Sequence, residues 1–152
     1  MKKKGFTLLE LILVIAIFSI VVGGTILSLS SFFAKSQLTD HSKQIVNSLR
    51  KAQSNSMMRV KVSQWGVNFD SGGGVVTFFQ GASYSARDTN YDQAQTLPPS
   101  LSLNNISFDS GGTEVVFTKV NGETDDFGSL QVQGDIDNYT ITINKFGQIE
   151  IN

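Results

Sequence analysis

The sequence predicts an α+β protein in which one long N-terminal helix is followed by about seven short antiparallel strands. Three observations support this prediction. An apolar run extends from Leu11 to Leu29, helical spacing of apolar residues continues to about Met58, and the hydrophobic period then shortens to two residues between turn-forming segments. The chain after the apolar run has the length of one domain. We therefore divide the sequence into a basic leader (1–5), an apolar helix half (6–29), an amphipathic helix half (30–58) and a β-rich globular domain (59–152).

The N-terminus joins a basic leader to an apolar helix that contains one acid. Lys2 to Lys4 precede Gly5 and Phe6, and Glu10 is the only charged residue between Lys4 and Lys35. About 20 apolar residues are enough to cross a bilayer, where an ionised acid costs roughly 2.5 to 3.5 kcal/mol. Glu10 therefore needs a compensating charge, which must come from another chain or from a newly exposed amino terminus.

A cleaved secretory signal and a plain transmembrane anchor are the two simpler explanations of this N-terminal segment. A cleaved secretory signal needs small residues before a cleavage site that follows the apolar run, and the late candidate Phe32-Phe33-Ala34 places Phe32 at one of those positions. A plain transmembrane anchor fits the length of the run. It does not account for Glu10 or for the junction between Gly5 and Phe6.

The leader, the junction and the acid together resemble a type IV prepilin signal. The resemblance implies that a prepilin peptidase cuts after Gly5 and methylates the new amino terminus at Phe6. It also implies that Glu10 faces the Phe6 ammonium of a neighbouring subunit in a filament. The partners implied are other pilins or pseudopilins, an inner-membrane assembly platform, and the lipid bilayer before assembly.

Charge and cysteine content constrain location. Lys2 to Lys4 favour a cytoplasmic N-terminus, so we expect a single-pass protein of the inner membrane whose domain from Ser30 onward is extracytoplasmic. The sequence has no cysteine. The domain must therefore fold without a disulfide, including the one that closes the C-terminal loop of many major pilins.

The second half of the helix has one apolar face. Helical spacing of three, four and seven relates five residues that should pack against the domain: Leu38, Ile45, Leu49, Ala52 and Ser56. No proline interrupts the segment from Phe6 to Met58, which predicts one gently bent helix. Gly23 and Gly24 are the expected place for a kink.

Strand-forming segments follow Met58. Val60–Val62 and Trp65–Phe69 alternate, and a glycine-rich turn joins the latter to Val75–Phe79 in a predicted hairpin. The stretch from Ala82 to Ser100 has no clear period and predicts a surface loop. Further strands are predicted at Ser102–Phe108, Glu114–Val120, Gly128–Gln133, Tyr139–Asn144 and Gln148–Ile151.

This arrangement resembles the minor pseudopilins of the type II secretion H class and the related minor pilins of type IV pili. The resemblance implies a structural filament subunit for protein transport or pilus function. The machine served and the position in the filament remain open. One alternative is a filament-tip binding module for adhesion or DNA uptake, in which Tyr84, Arg87 and Tyr91 contact the ligand. A plain membrane-anchored β domain is the other.

Charge is unevenly distributed after the anchor. The segment between His41 and Phe69 contains cations and no acid, whereas acids far outnumber cations from Asp70 onward. The basic helix end of one subunit could therefore face the acidic domain of another, although two solvated surfaces explain the pattern equally well. An acidic domain disfavours nucleic acid as a partner.

Little in the sequence indicates catalysis. His41 is the single histidine and is expected to be solvated, so we predict no enzyme and no cofactor. The acidic segment 121–126 offers oxygens to calcium, but its spacing matches no known calcium loop, and we predict no metal.

Overall fold

A computed structural model describes residues 5–152, with side chains described for 5–22 and 30–152. It confirms the predicted fold class: one long helix precedes an antiparallel β domain. The helix, α1, spans Leu8–Met57. The chain divides into two compact units at Phe33 and Ala34. The predicted kink at Gly23 and Gly24 falls where side chains are not described, and Lys2 to Lys4 lie outside the described residues.

Eight strands follow the helix and form two four-stranded antiparallel sheets. The first sheet has the order β3-β2-β1-β5, and the second has the order β4-β6-β7-β8. The strands are β1 (Trp65–Asp70), β2 (Val75–Gln80), β3 (Asp88–Thr96), β4 (Ser102–Phe108), β5 (Glu114–Phe117), β6 (Gly128–Gln133), β7 (Asn138–Ile143) and β8 (Ile149–Ile151).

One hydrophobic core joins α1 to both sheets. The helix contributes the face predicted from its spacing, and Ile45, Leu49 and Ala52 are fully buried. The pairing register stacks apolar residues across each sheet: Val67 lies opposite Phe78 and Val115. The buried apolar cluster comprises Leu38, Ile45, Val46, Leu49, Ala52, Trp65, Val67, Phe69, Val76, Phe78, Leu97, Leu101, Leu103, Phe108, Val115, Phe117, Leu130, Val132, Ile141 and Ile143.

Two polar side chains connect the last turns of α1 to the β domain. Buried Ser56 accepts a hydrogen bond from the Trp65 backbone N–H through Oγ at 2.8 Å. Gln53 donates through Nε2 to the carbonyls of Gly122 at 3.0 Å and Gly147 at 2.9 Å. These bonds satisfy backbone groups of a strand and of two turns that meet at the helix end.

The predicted strand at Val60–Val62 is wrong, because these residues form a short 3-10 turn. Arg59, which precedes this turn, has the left-handed conformation with φ 51°, and Lys61 and Val62 also have positive φ. Backbone with positive φ cannot continue as a strand. Three alternating residues were too short a segment to distinguish the two structures.

The predicted loop from Ala82 to Ser100 is also wrong over half its length, because it contains β3. This strand pairs with β2, with Ala94 opposite Thr77 and Gln93 opposite Phe78. It lies at the edge of its sheet, and most of its residues are polar and exposed. Without a buried alternate face, an edge strand shows no hydrophobic period in its sequence.

The packing of α1 predicts a large difference between two adjacent substitutions. Leu49→Ala removes a fully buried side chain and should lower the free energy of unfolding by about 2 to 5 kcal/mol. Arg50→Ala, at the neighbouring exposed position, should change it by less than about 0.5 kcal/mol. The single tryptophan, Trp65, is buried and reports unfolding by fluorescence during denaturant titration of the chain in detergent. Equal midpoints for the two variants would contradict the packing.

Candidate assembly site

The first turn of α1 is closed by a side-chain cap. Gly5 to Thr7 precede the helix, and the Glu10 backbone N–H donates to Thr7 Oγ1 at 3.3 Å. The Leu11 N–H donates to the Thr7 carbonyl at 3.2 Å. Thr7 is therefore the N-cap, and Thr-x-x-Glu is the spacing of a capping box. The prediction from sequence did not include this N-cap, although the spacing of Thr7 and Glu10 indicates it.

Glu10 lies in the first turn of the helix. A carboxylate is favoured there by the helix dipole and by the free N–H groups of that turn. The side chain is exposed, and the ion pairs within residues 5–152 join Lys35 to Asp137 and Arg87 to Asp92. The position at the helix N-terminus therefore favours an acid here, while no described cation neutralises it.

The start of α1 presents apolar side chains to the outside on every side. All residues from 5 to 22 are exposed in the single chain, including Phe6 at 81% and Leu8 at 77%. A continuous apolar surface of this kind marks a contact with lipid or with other proteins. No helix in the part of the chain that the structure describes is long and apolar enough to span a membrane.

The three predicted site residues Gly5, Phe6 and Glu10 lie within one short segment at this helix start. Within residues 5–152, a Cβ added at Gly5 would meet no atom within 4 Å. Phe6 follows Gly5 and precedes the cap, outside the helix. The described contacts therefore give no steric reason for a glycine at this position.

The side chains proposed for a tip-binding loop are largely occupied within the domain. Arg87 donates through Nε to Asp92 Oδ2 at 2.8 Å and through Nη1 to the Tyr84 carbonyl at 2.7 Å. Its guanidinium lies 3.8 Å from the Tyr84 ring centroid, and the bond to Asp92 raises the pKa of Arg87. Tyr91 packs edge-on against Trp65. Two donors of Arg87 and one face of its guanidinium are therefore already in contact with Asp92 and Tyr84.

The other polar candidates from the sequence are the acidic segment 121–126 and His41. Within the described residues, no group of three or more His, Asp or Glu side chains could hold a metal ion. In the acidic segment 121–126, Asp126 accepts the Val116 N–H at 3.0 Å. His41 is half-buried, not fully solvated as expected, because its Nδ1 lies 3.1 Å from Gln95 Nε2.

Comparisons with known proteins give a family match for the N-terminal segment and structural matches for the fold. Residues 1–26 match the family model described as the prokaryotic N-terminal methylation motif. A structure of the minor pseudopilin EpsH from the Vibrio cholerae type 2 secretion system superposes with a TM-score of 0.56 at 13% identity, covering 76% of this chain and 96% of that one. The chain has a pseudopilin fold.

A second crystal structure of the EpsH minor pseudopilin from Vibrio cholerae gives a TM-score of 0.54 at 12% identity, covering 77% of this chain and 94% of that chain. A comparison with curated protein sequences finds no match. A pseudopilin fold and a prepilin-type N-terminus therefore occur together in this chain.

The cap predicts how Thr7 variants affect the helix start. Thr7→Ala removes the Oγ1 acceptor and should destabilise the first turn by about 0.5 to 2 kcal/mol, whereas Thr7→Ser keeps an acceptor and should behave like the wild type. Hydrogen exchange of the Glu10 and Leu11 amides, measured in detergent, reads out the effect. Identical protection in all three proteins would show that Thr7 does not cap α1.

Proposed function

We propose that the chain is a structural subunit, a minor pilin or pseudopilin, of a type II secretion pseudopilus or a type IV pilus. The observation that carries the proposal is the helix start. There an unpaired, exposed Glu10 follows the Gly5-Phe6 junction at the beginning of an uncovered apolar helix. The pseudopilin fold of the domain supports the same conclusion.

Gly5 is the site at which we propose that a prepilin peptidase cuts. The methylation motif supports this assignment, and so does the open space that the described residues leave around Gly5. A peptidase must bind extended backbone closely, and a residue without Cβ permits that approach. Cleavage removes the lysines of the leader and leaves Phe6 as a methylated ammonium group.

Glu10 would then pair with the Phe6 ammonium of a neighbouring subunit. The two groups are four residues apart along the chain, so pairing between chains offsets adjacent helices along their axes. Within a bundle of apolar helices the pair is poorly solvated, and moving it out of register leaves an uncompensated charge. The pair thereby fixes the axial register, while the apolar side chains around it provide most of the contact area.

Before assembly, we propose that the apolar half of α1 anchors the subunit in the inner membrane. The lysines of the leader favour a cytoplasmic N-terminus and an extracytoplasmic β domain. An assembly platform would then transfer the subunit from the bilayer into the filament. The exposed apolar surface of residues 6 to 22 would contact lipid before assembly and other helices within the filament.

Processing should be visible in the mass of the mature protein. We expect loss of Met1 to Gly5 and addition of one methyl group at Phe6, measured by intact-mass analysis of membrane fractions. Gly5→Leu should block the cut, because the side chain obstructs the peptidase, while membrane insertion should remain unchanged. A peptidase-deficient strain provides the unprocessed reference mass. A retained leader in a strain with active peptidase would contradict the proposal.

Substitution of Glu10 should separate assembly from processing. Glu10→Ala should reduce the subunit recovered in sheared filaments on the order of tenfold or more, because a buried ammonium then lacks its partner. Glu10→Gln retains shape and part of the hydrogen bonding, so its recovery should be intermediate. Asp40→Ala, which removes an exposed acid from the second half of the same helix, is the matched control and should assemble.

Membrane levels and leader removal, measured in the same cells, should be unchanged in all three variants. Assembly of Glu10→Ala at the wild-type level would show that the carboxylate is not an assembly contact.

A further inference from the structure

The β domain has two ends that are identified by its contacts with α1. At one end Lys35 pairs with Asp137, and at the other Gln53 bonds to the Gly147 carbonyl. Lys35 and Gln53 are 18 positions apart on one helix, a rise of about 27 Å. The turn before β7 and the turn after β7 therefore lie at opposite ends of the domain.

The end near Gln53 carries an exposed apolar patch. We call Met57, Met58, Val120 and Phe146 the helix-end patch; they are 46%, 66%, 51% and 70% exposed. The fold brings them together. Gln53 binds the Gly122 and Gly147 carbonyls, a Cβ at Gly122 would touch the Met57 side chain, and the Thr124 N–H donates to the Lys145 carbonyl at 3.1 Å.

Cations border this patch. Arg59 follows Met58, Lys119 precedes Val120 and Lys145 precedes Phe146, and all three cations are exposed. None of them takes part in the ion pairs found within residues 5–152.

Acids also occur on the neighbouring loop. Asp126 is occupied by the Val116 N–H, Glu123 is half-buried and Asp125 is exposed. The cations are the immediate sequence neighbours of Met58, Val120 and Phe146, whereas the acids lie three or more residues further along the chain.

The opposite end carries the complementary pattern in one turn. Asp135, Ile136 and Asp137 form the tip between β6 and β7, and Ile136 is 62% exposed. The turn is closed by the Gly134 N–H, which donates to the Asp137 carbonyl at 2.9 Å. Bonds from the Asn138 N–H and from Lys35 lower the pKa of Asp137 and hold this carboxylate within its own domain. We call these three residues the acidic knob.

We propose that the helix-end patch of one copy receives the acidic knob of a second copy. Ile136 would cover Phe146 and Val120, while Asp135, the exposed acid of the knob, approaches Lys145. The two surfaces are different and lie at opposite ends of the domain, so the contact is heterologous. Repetition of such a contact produces an open chain of subunits instead of a closed dimer.

The contact is small and would be weak between free molecules. One apolar side chain and one exposed ion pair bury much less surface than a standard interface. Linkage through packed N-terminal helices raises the effective concentration of neighbouring domains, which allows a weak contact to form. In this respect alone the inference rests on the proposed filament function.

An anionic lipid surface is the other class of partner that suits a basic and apolar patch. A second copy is favoured because this chain itself carries the matching element, an apolar side chain between two acids. The experiment must therefore distinguish contact with a second copy from contact with lipid.

The absence of cysteine makes cross-linking a direct test. Full-length chains that carry both Ile136→Cys and Phe146→Cys, expressed with the assembly machinery and treated with a short bifunctional maleimide, should form a ladder of covalent oligomers. A mixture of the two single variants should stop at the dimer, and each single variant alone should remain monomeric. Ile136→Cys combined with Ser110→Cys, at an exposed turn outside both surfaces, is the matched control and should not cross-link.

Charge exchange tests the ionic part of the contact. In the double-cysteine background, Lys145→Glu should reduce cross-linking by up to about fivefold, the size expected for an exposed ion pair. Addition of Asp135→Lys should restore it, because the opposite charges then face each other with reversed sign.

Each of the following outcomes would overturn the inference. Cross-links between two copies of Ile136→Cys would contradict the heterologous geometry. Cross-links only to a different protein would contradict a second copy as the occupant. Protection of Phe146→Cys from a soluble maleimide by anionic vesicles, without cross-linking, would assign the patch to lipid. Absence of cross-links in filaments that still require Glu10 would refute this contact and leave the proposed function intact.

Discussion

The apolar surface at the start of α1 is the constraint on which the account depends. Residues 5 to 22 bury nothing in the single chain, whereas the same helix buries Leu38, Ile45 and Leu49 against the two sheets further on. The second half of the helix therefore has its partner within the chain, and the first half must find one in lipid or in other subunits. Glu10 adds a polar requirement to that contact, because a carboxylate within an apolar bundle needs a cation or several donors. Assembly through α1 satisfies both requirements in one arrangement.

Elements with strong periodicity were predictable from the sequence. The buried face of α1 followed from apolar spacing, and the hairpin of β1 and β2 followed from strand-forming residues around a glycine-rich turn. Strand β3 was missed because its edge position leaves polar residues on both faces, so no period distinguishes it from a loop. The strand predicted at Val60 to Val62 was wrong for a different reason. Their alternation is real, but positive φ at Arg59 and Lys61 sets the local backbone, and neither residue type predicts that conformation.

The residues of the candidate site were singled out from the sequence, and their roles stay predictions. Gly5, Phe6 and Glu10 stand out because an acid and a glycine interrupt a basic-to-apolar transition. The spacing of Thr7 and Glu10 indicates the cap that Thr7 forms, but the prediction did not include it. The bonds of Arg87 depend on Asp92 and Tyr84 folding back onto it. Such a three-dimensional contact has no signature in spacing, so the sequence could not show which donors of that loop are already bonded within the domain.

In the proposed filament, the Glu10 carboxylate of one subunit meets the Phe6 amino terminus of its neighbour. Electron cryomicroscopy of filaments containing the mature chain would measure the distance between the Phe6 nitrogen and the nearest Glu10 oxygen of an adjacent helix. We expect a separation of about 4 Å or less, as in an ion pair, with apolar side chains around both groups. A Glu10 carboxylate directed to solvent, or bonded only within its own helix turn, would refute this contact.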